Sequence, residues 1–201
     1  MRHWCLRQLT FAGLCLVLVA GHASEALGQT ASPRALPLPL EPLLPTRLEA
    51  LLASPNLVLV ADYYRIDMRF GPSLRVDAVI IEAVDTHTRV KGLRVQVRDP
   101  ESRGRQEGTS YIDIDELTRL ARGVTTMAEL ATKWTLDDRQ ATELTFTTGG
   151  GFRLAIRHSA RVPRAYISTG LLDPVVTSLD IAELPTLRQV FDQALAILNS
   201  K

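Results

Sequence analysis

The stretch Tyr64-Arg65-Ile66-Asp67-Met68-Arg69-Phe70-Gly71-Pro72-Ser73-Leu74-Arg75-Val76-Asp77-Ala78-Val79-Ile80-Ile81 decides the fold. Tyr64, Ile66, Met68 and Phe70 alternate with Arg65, Asp67 and Arg69, the period of two of a half-buried strand. Gly71-Pro72-Ser73 turns the chain. Leu74, Val76, Ala78 and Ile80 then alternate with Arg75 and Asp77, until Val79 and Ile81 make both faces apolar. Two alternating runs joined by a short turn predict an antiparallel hairpin.

Downstream, Asp85-Thr86-His87-Thr88 leads to a third strand, with Leu93, Val95 and Val97 opposite Arg94, Gln96 and Arg98, ended by Pro100. A polar loop over 101–109 precedes a short fourth strand, Tyr111 to Ile114. Asp113 and Glu116 have capping-box spacing ahead of a helix. Leu117, Leu120, Ala121, Val124, Ala128 and Ala131 share one face of that helix. Gly123 lies inside it at a cost of about 1 kcal/mol against Ala, which close packing on the sheet explains.

The second half repeats the pattern. Leu144 and Phe146 alternate with Glu143, Thr145 and Thr147. Gly149-Gly150-Gly151 turns the chain, and Phe152, Leu154 and Ile156 alternate with Arg153 and Arg157. A further strand runs through Ala165, Tyr166 and Ile167. A closing helix from about Asp180 or Pro185 carries Leu184, Leu187, Phe191, Ala194, Leu195 and Leu198. The expected class is α+β: a meandering antiparallel sheet of about seven strands in two sheet-then-helix units, ββββ-α-βββ-α, curved or barrel-like.

Upstream, Arg2 and Arg7 precede the uncharged apolar run Leu9 to Ala20, followed by small residues at Gly21, Ala23, Ala26 and Gly28. This is the pattern of a cleavable signal peptide over 1–28. The run is shorter than the about 20 residues needed to span a bilayer. The expected location is therefore outside the cytoplasm, in the periplasm or beyond. Pro33, Pro37, Pro39, Pro42 and Pro45 mark a Pro-rich linker over 29–45. Thr46 and Glu49 form a capping box for a short helix with Leu48, Leu51 and Leu52, stopped by Pro55. A single α+β domain is expected over 46–201.

The order of elements resembles, in topology alone, the duplicated architecture of Whirly-type single-strand nucleic-acid binders. That resemblance implies a single-stranded partner, which charge and export oppose. The chain carries 23 Lys+Arg and 22 Asp+Glu, net +1, where nucleic-acid binders show a basic excess. No nucleic-acid partner is expected. Both cysteines, Cys5 and Cys15, lie in the signal segment, so the processed chain has no disulfide, thiol nucleophile or thiolate metal site.

Few residues suggest chemistry. His87 reads as a turn residue beside Asp85. His158 ends a strand without the G-x-S-x-G turn of a serine hydrolase. Asp113, Asp115 and Glu116 suit a helix N-terminus. They lack calcium-loop spacing, as does Asp137-Asp138. Gly149-Gly150-Gly151 joins two strands, whereas phosphate loops precede a helix. No catalytic residue, metal site or cofactor is expected.

The arginines stand out. Arg65, Arg69, Arg75, Arg94, Arg98, Arg153 and Arg157 alternate with apolar residues and project from the solvent side of strands. Their forks suit carboxylate and phosphate, or they pair across strands with Asp67, Asp77 and Glu143. Trp134 either plugs the edge of the core or offers a stacking surface. The expected ligand-binding set is Arg65, Arg69, Arg94, Arg98 and Trp134. The expected function is that of a non-enzymatic exported binding domain, facing an anionic ligand, a membrane surface or an acidic protein. Two alternatives stand beside it: a carrier of an apolar small molecule or lipid in a sheet-lined cavity, and an enzyme built from carboxylates and arginines. The oligomeric state is left open.

Overall fold

The computed structural model describes residues 45–66, 70, 73–99, 106–133, 141–159 and 162–201. The expected signal peptide, almost all of the linker, Asp67, Met68, Arg69 and Trp134 lie outside these residues. The class is α+β, built from two separate four-stranded antiparallel sheets with no closed barrel. Sheet A runs β1 (Leu59–Arg65), β2 (Leu74–Ala83), β3 (Thr88–Arg98) and β4 (Glu107–Asp113). Sheet B runs β5 (Thr142–Thr147), β6 (Arg153–Ser159), β7 (Val162–Thr169) and β8 (Val175–Asp180). Both are plain meanders in chain order. Helix α1 is Arg47–Leu52, α2 is Ile114–Lys133 and α3 is Leu184–Ser200.

The inner face of sheet A carries Leu74, Val76, Ala78 and Ile80 of β2, Leu93, Val95 and Val97 of β3, and Ile112 of β4. These meet Leu154, Ile156, Ile167 and Leu179 of sheet B, together with the apolar faces of α2 and α3, in one buried core. Phe152 and Phe191 pack edge to face at its centre, with ring centroids 6.2 Å apart. Helices α2 and α3 lie against each other, and α3 lies on β2. Arg188 of α3 fastens the helix pair through the Ala121 carbonyl (3.1 Å) and the Thr125 hydroxyl (2.7 Å). Gly123 is explained by contact: a Cβ there would stand 2.7 Å from the Phe146 ring of β5.

The outer face of sheet A has two halves. Leu48 and Leu51 of α1 cover Val79, Ile81 and Ala83, a second buried cluster. This is why β2 turns apolar on both faces at Val79. Gly92 lets α1 come close, because a Cβ there would meet the Ile112 carbonyl at 2.1 Å and Leu48 at 2.6 Å. Thr46 and Glu49 form the expected capping box. Asp113 adds a cap from a distant strand, accepting from the Arg47 N–H (2.8 Å) and the Leu48 N–H (3.3 Å).

That last contact changes one local reading. Asp113 and Glu116 have capping-box spacing for α2, yet both are used elsewhere. Asp113 holds α1, and Glu116 accepts from the Gly149 N–H at 3.0 Å. Gly150 then packs where a Cβ would collide with the Tyr111 carbonyl. The glycine turn is thus pinned to β4 as well as reversing the chain. Three elements also differ from the sequence reading. Strand β4 begins at Glu107, within the stretch read as a polar loop, and Ile114 belongs to α2. The first strand runs from Leu59 to Arg65, so it begins ahead of Tyr64 and ends before Ile66 and Phe70, which the alternation placed in it. An eighth strand, β8, precedes α3, with Val175, Thr177 and Leu179 buried and Val176, Ser178 and Asp180 exposed. Among the described residues, no helix is long and apolar enough to cross a membrane.

Candidate functional site

The half of sheet A's outer face that no described element covers collects the arginines. Because β1 and β3 both flank β2, one row reads Arg65, Asp77, Arg94, Tyr111 across the four strands. The next row out holds Arg75, Gln96 and Thr109, and beyond it Arg98 faces Glu107. Tyr63 lies one row inward, opposite Val79.

Asp77 is the buried centre of this cluster. Its carboxylate is fully buried and accepts from Arg94 Nη2 (2.8 Å) and Arg94 Nε (3.2 Å). Arg75 Nε reaches it at 3.0 Å. Two guanidiniums therefore share one carboxylate, and a net positive charge is left over. Arg94 is itself 17% exposed and lies 4.0 Å from the centroid of the Tyr63 ring. Cation–π stacking and the carboxylate together fix its fork. Burial pushes the Tyr111 phenol above its ordinary value, and neighbouring Tyr63 adds to the rise, while Arg94 opposes it.

The other members are freer. Arg98 meets Glu107 at 3.4 Å, and both are well exposed. An exposed pair of this kind is worth only about 0–1 kcal/mol. Arg65 is exposed at the end of β1, and no ion pair is seen for it among the described residues. Of the five expected residues, the fold thus brings Arg65, Arg94 and Arg98 to one face. Arg69 and Trp134 lie outside the described residues. Sequence reading left Arg75, Tyr63 and Tyr111 out of the set. Arg75 follows the same alternation as Arg65 and was legible; the tyrosines needed the strand register.

Sheet B repeats the motif on its outer face. Glu143 takes Arg157 Nε at 2.8 Å and also Arg153, as the pairing alternative expects. A hydrogen bond from the Thr145 hydroxyl, then the bond from Arg157, hold its carboxyl below the usual range. Arg157 lies 5.3 Å from the Tyr166 ring centroid. A depression of about 320 Å³ opens beside Arg153, lined by Thr145, Thr147, Ser168 and Leu171 among others. A second, of about 230 Å³, lies by Arg47, Arg89 and Lys91. Arg47 is bound to Asp113 and Asp115, and its hydrogen bond to Asp113 raises its pKa.

His87 stands apart from these clusters. His87 occupies the β2–β3 turn at φ 52°, and its Nδ1 lies 3.8 Å from Glu82. Among the described residues no three His, Cys, Asp or Glu side chains gather as a metal site.

Fold and surface together define an α+β two-sheet domain whose sheets carry arginine and tyrosine outward. No protein-family model matches the chain, and no curated protein matches it in sequence. Among solved structures it is similar to one titled "Crystal Structure of WHY1 from Arabidopsis thaliana", at 12% identity and a TM-score of 0.30. The match covers 69% of this chain and 91% of that one. At that level the likeness transfers no function.

Proposed function

We propose that the protein is an exported, non-enzymatic binding domain that receives an anionic partner on the open half of sheet A. The observation that carries this reading is the charge imbalance of that face. Among the described residues, Arg65, Arg75, Arg94 and Arg98 share it with two carboxylates, Asp77 and Glu107, and Asp77 is buried. Arginine forks on a flat sheet suit carboxylates and phosphates of a partner. Exposed Tyr63 beside them supplies an amphipathic contact. The apolar side chains buried between the sheets, Val95, Leu154 and Phe191 among them, support an interaction surface over an internal carrier cavity. The near-zero net charge of the whole chain supports a partner other than nucleic acid.

The test is mass spectrometry of what co-purifies with the protein from its own compartment, against the variant R65Q/R75Q/R98Q. Arg94 stays in place because it holds Asp77. An acidic partner should be enriched with the native protein, and lost both in the variant and at high salt. An identical set of co-purifying molecules for both proteins would remove the basis of this reading.

A further inference from the structure

We infer that the turn between β7 and β8 is a lipid-docking element: Leu171 and Leu172 enter an anionic bilayer surface while the depression at Arg153 takes a headgroup phosphate. This goes beyond the sheet A reading and rests on different residues.

Leu172 is 100% exposed, Leu171 48%, and Val176 of β8 46%. Leucines stand outward in water at the tip of a turn closed by Gly170 (φ 94°) and Pro174. A folded chain gains nothing internally from a fully exposed leucine, and adjacent exposed apolar groups mark contact sites. The turn is a firm mount. The Gly170 N–H donates to the buried Ser110 hydroxyl at 3.1 Å, and Gln106 holds Asp173 at 3.3 Å. Leu171 also packs so near Gly151 that a Cβ there would stand 2.5 Å from it.

Beside the leucines lies the chemistry of an oxyanion site. One row of sheet B reads Thr147, Arg153, Ser168, Val176. Arg153 and Arg157 share the single carboxylate of Glu143, which leaves one unneutralised positive charge. Arg153 also approaches the Thr145 hydroxyl at 3.5 Å, while its Nε, shielded from solvent, has no hydrogen-bond partner among the described residues. The exposed end of the Arg153 guanidinium, flanked by hydroxyls, matches a phosphate. Leu171 and Pro174 wall the same depression, so one molecule with a phosphate and an apolar tail meets both halves. A bilayer of anionic phospholipid presents that pair in the required order, headgroup above chain. Asp173 is the one carboxylate in the turn, and the Gln106 amide occupies it.

The experiment is co-sedimentation of the protein, purified as its host processes it, with vesicles. One set is equimolar phosphatidylglycerol and phosphatidylcholine; the other is phosphatidylcholine alone. The variants are L171S/L172S, R153Q and R65Q/R75Q/R98Q. The exposed turn makes the first safe for folding, and circular dichroism checks it. The native protein should bind the anionic vesicles. L171S/L172S should bind at least tenfold more weakly, since each leucine transferred from water is worth roughly tenfold or more. R153Q should lose the preference for phosphatidylglycerol and keep a weak, salt-insensitive affinity. Unchanged binding by L171S/L172S overturns the inference. So does binding of inorganic phosphate by native and leucine variant alike with no sedimentation by either, which would mark a small-anion site. Loss in R65Q/R75Q/R98Q with none in the turn variants leaves the sheet A reading standing and removes this one; loss in the turn variants alone supports this inference and leaves the sheet A reading to its own test.

Discussion

Replacing Asp77 by alanine should cost about 3 kcal/mol of stability. The side chain is fully buried on sheet A's outer face and serves two arginines. Removing one partner of a buried ion pair typically costs about 3–5 kcal/mol, because a charge is left in a poor solvent. The lower end applies here. Arg75 is 41% exposed and rehydrates readily, so the penalty falls mainly on Arg94, at 17%. Arg94 keeps its Tyr63 contact, which limits the loss further. Urea unfolding followed by far-ultraviolet dichroism reads the effect. With a slope of about 2 kcal/mol/M, the midpoint should fall by roughly 1.5 M at unchanged slope. Combining Asp77→Leu with Arg94→Met should restore much of the loss, since apolar replacement of a whole buried pair is often close to neutral. A cost below about 1 kcal/mol for Asp77→Ala, or no recovery in the double variant, would refute the buried-pair reasoning.

Three other outcomes follow. Phe191→Ala should cost roughly 3–5 kcal/mol in the same assay, because Phe191 is fully buried against Phe152; a cost under about 1 kcal/mol would mean α3 contributes little to the core. The raised Tyr111 pKa means the folded state holds the phenolic proton more tightly than the unfolded chain does. Its contribution is present below the ordinary value of 10.0 and is lost as pH rises through the folded value. Tyr111→Phe should flatten the alkaline loss of stability and remove one late-titrating phenol at 295 nm; an unchanged late phase contradicts this. Export predicts a mature N-terminus between Ser24 and Thr30, and N-terminal sequencing that returns Met1 would end the export proposal.

Local pattern carried the architecture further than it carried the surface. Alternation in Leu74–Ile81 and Leu93–Arg98 marked the inner face of sheet A correctly, because an inner face needs only hydrophobic period two. It hid β8, where Val175-Val176 blurs the start of Val175–Asp180, and the early part of β1, where Leu57 to Ala61 is apolar throughout. The capping-box reading of Asp113 and Glu116 failed for a physical reason: spacing reports what a side chain can reach locally. The fold offered Asp113 two unpaired N–H groups of α1, 65 and 66 residues away in sequence. The arginine face was half legible. Alternation put Arg65, Arg94 and Arg98 on the solvent side, but only the register of β1, β2 and β3 shows Arg94 spent on Asp77 and Arg65 left over.

The central claim, an available basic face on sheet A, is tested most directly by salt elution from an immobilised polyanion such as heparin. The chain is close to neutral overall, so retention must come from a local patch. Each arginine near an anionic surface contributes on the order of 1 kcal/mol at moderate salt. Native protein should therefore be retained and elute at a defined salt concentration, with R65Q/R75Q/R98Q passing through and Asp77→Asn eluting later than native. Co-elution of all three proteins would contradict the claim, and the arginines of sheet A would be an ordinary solvated surface.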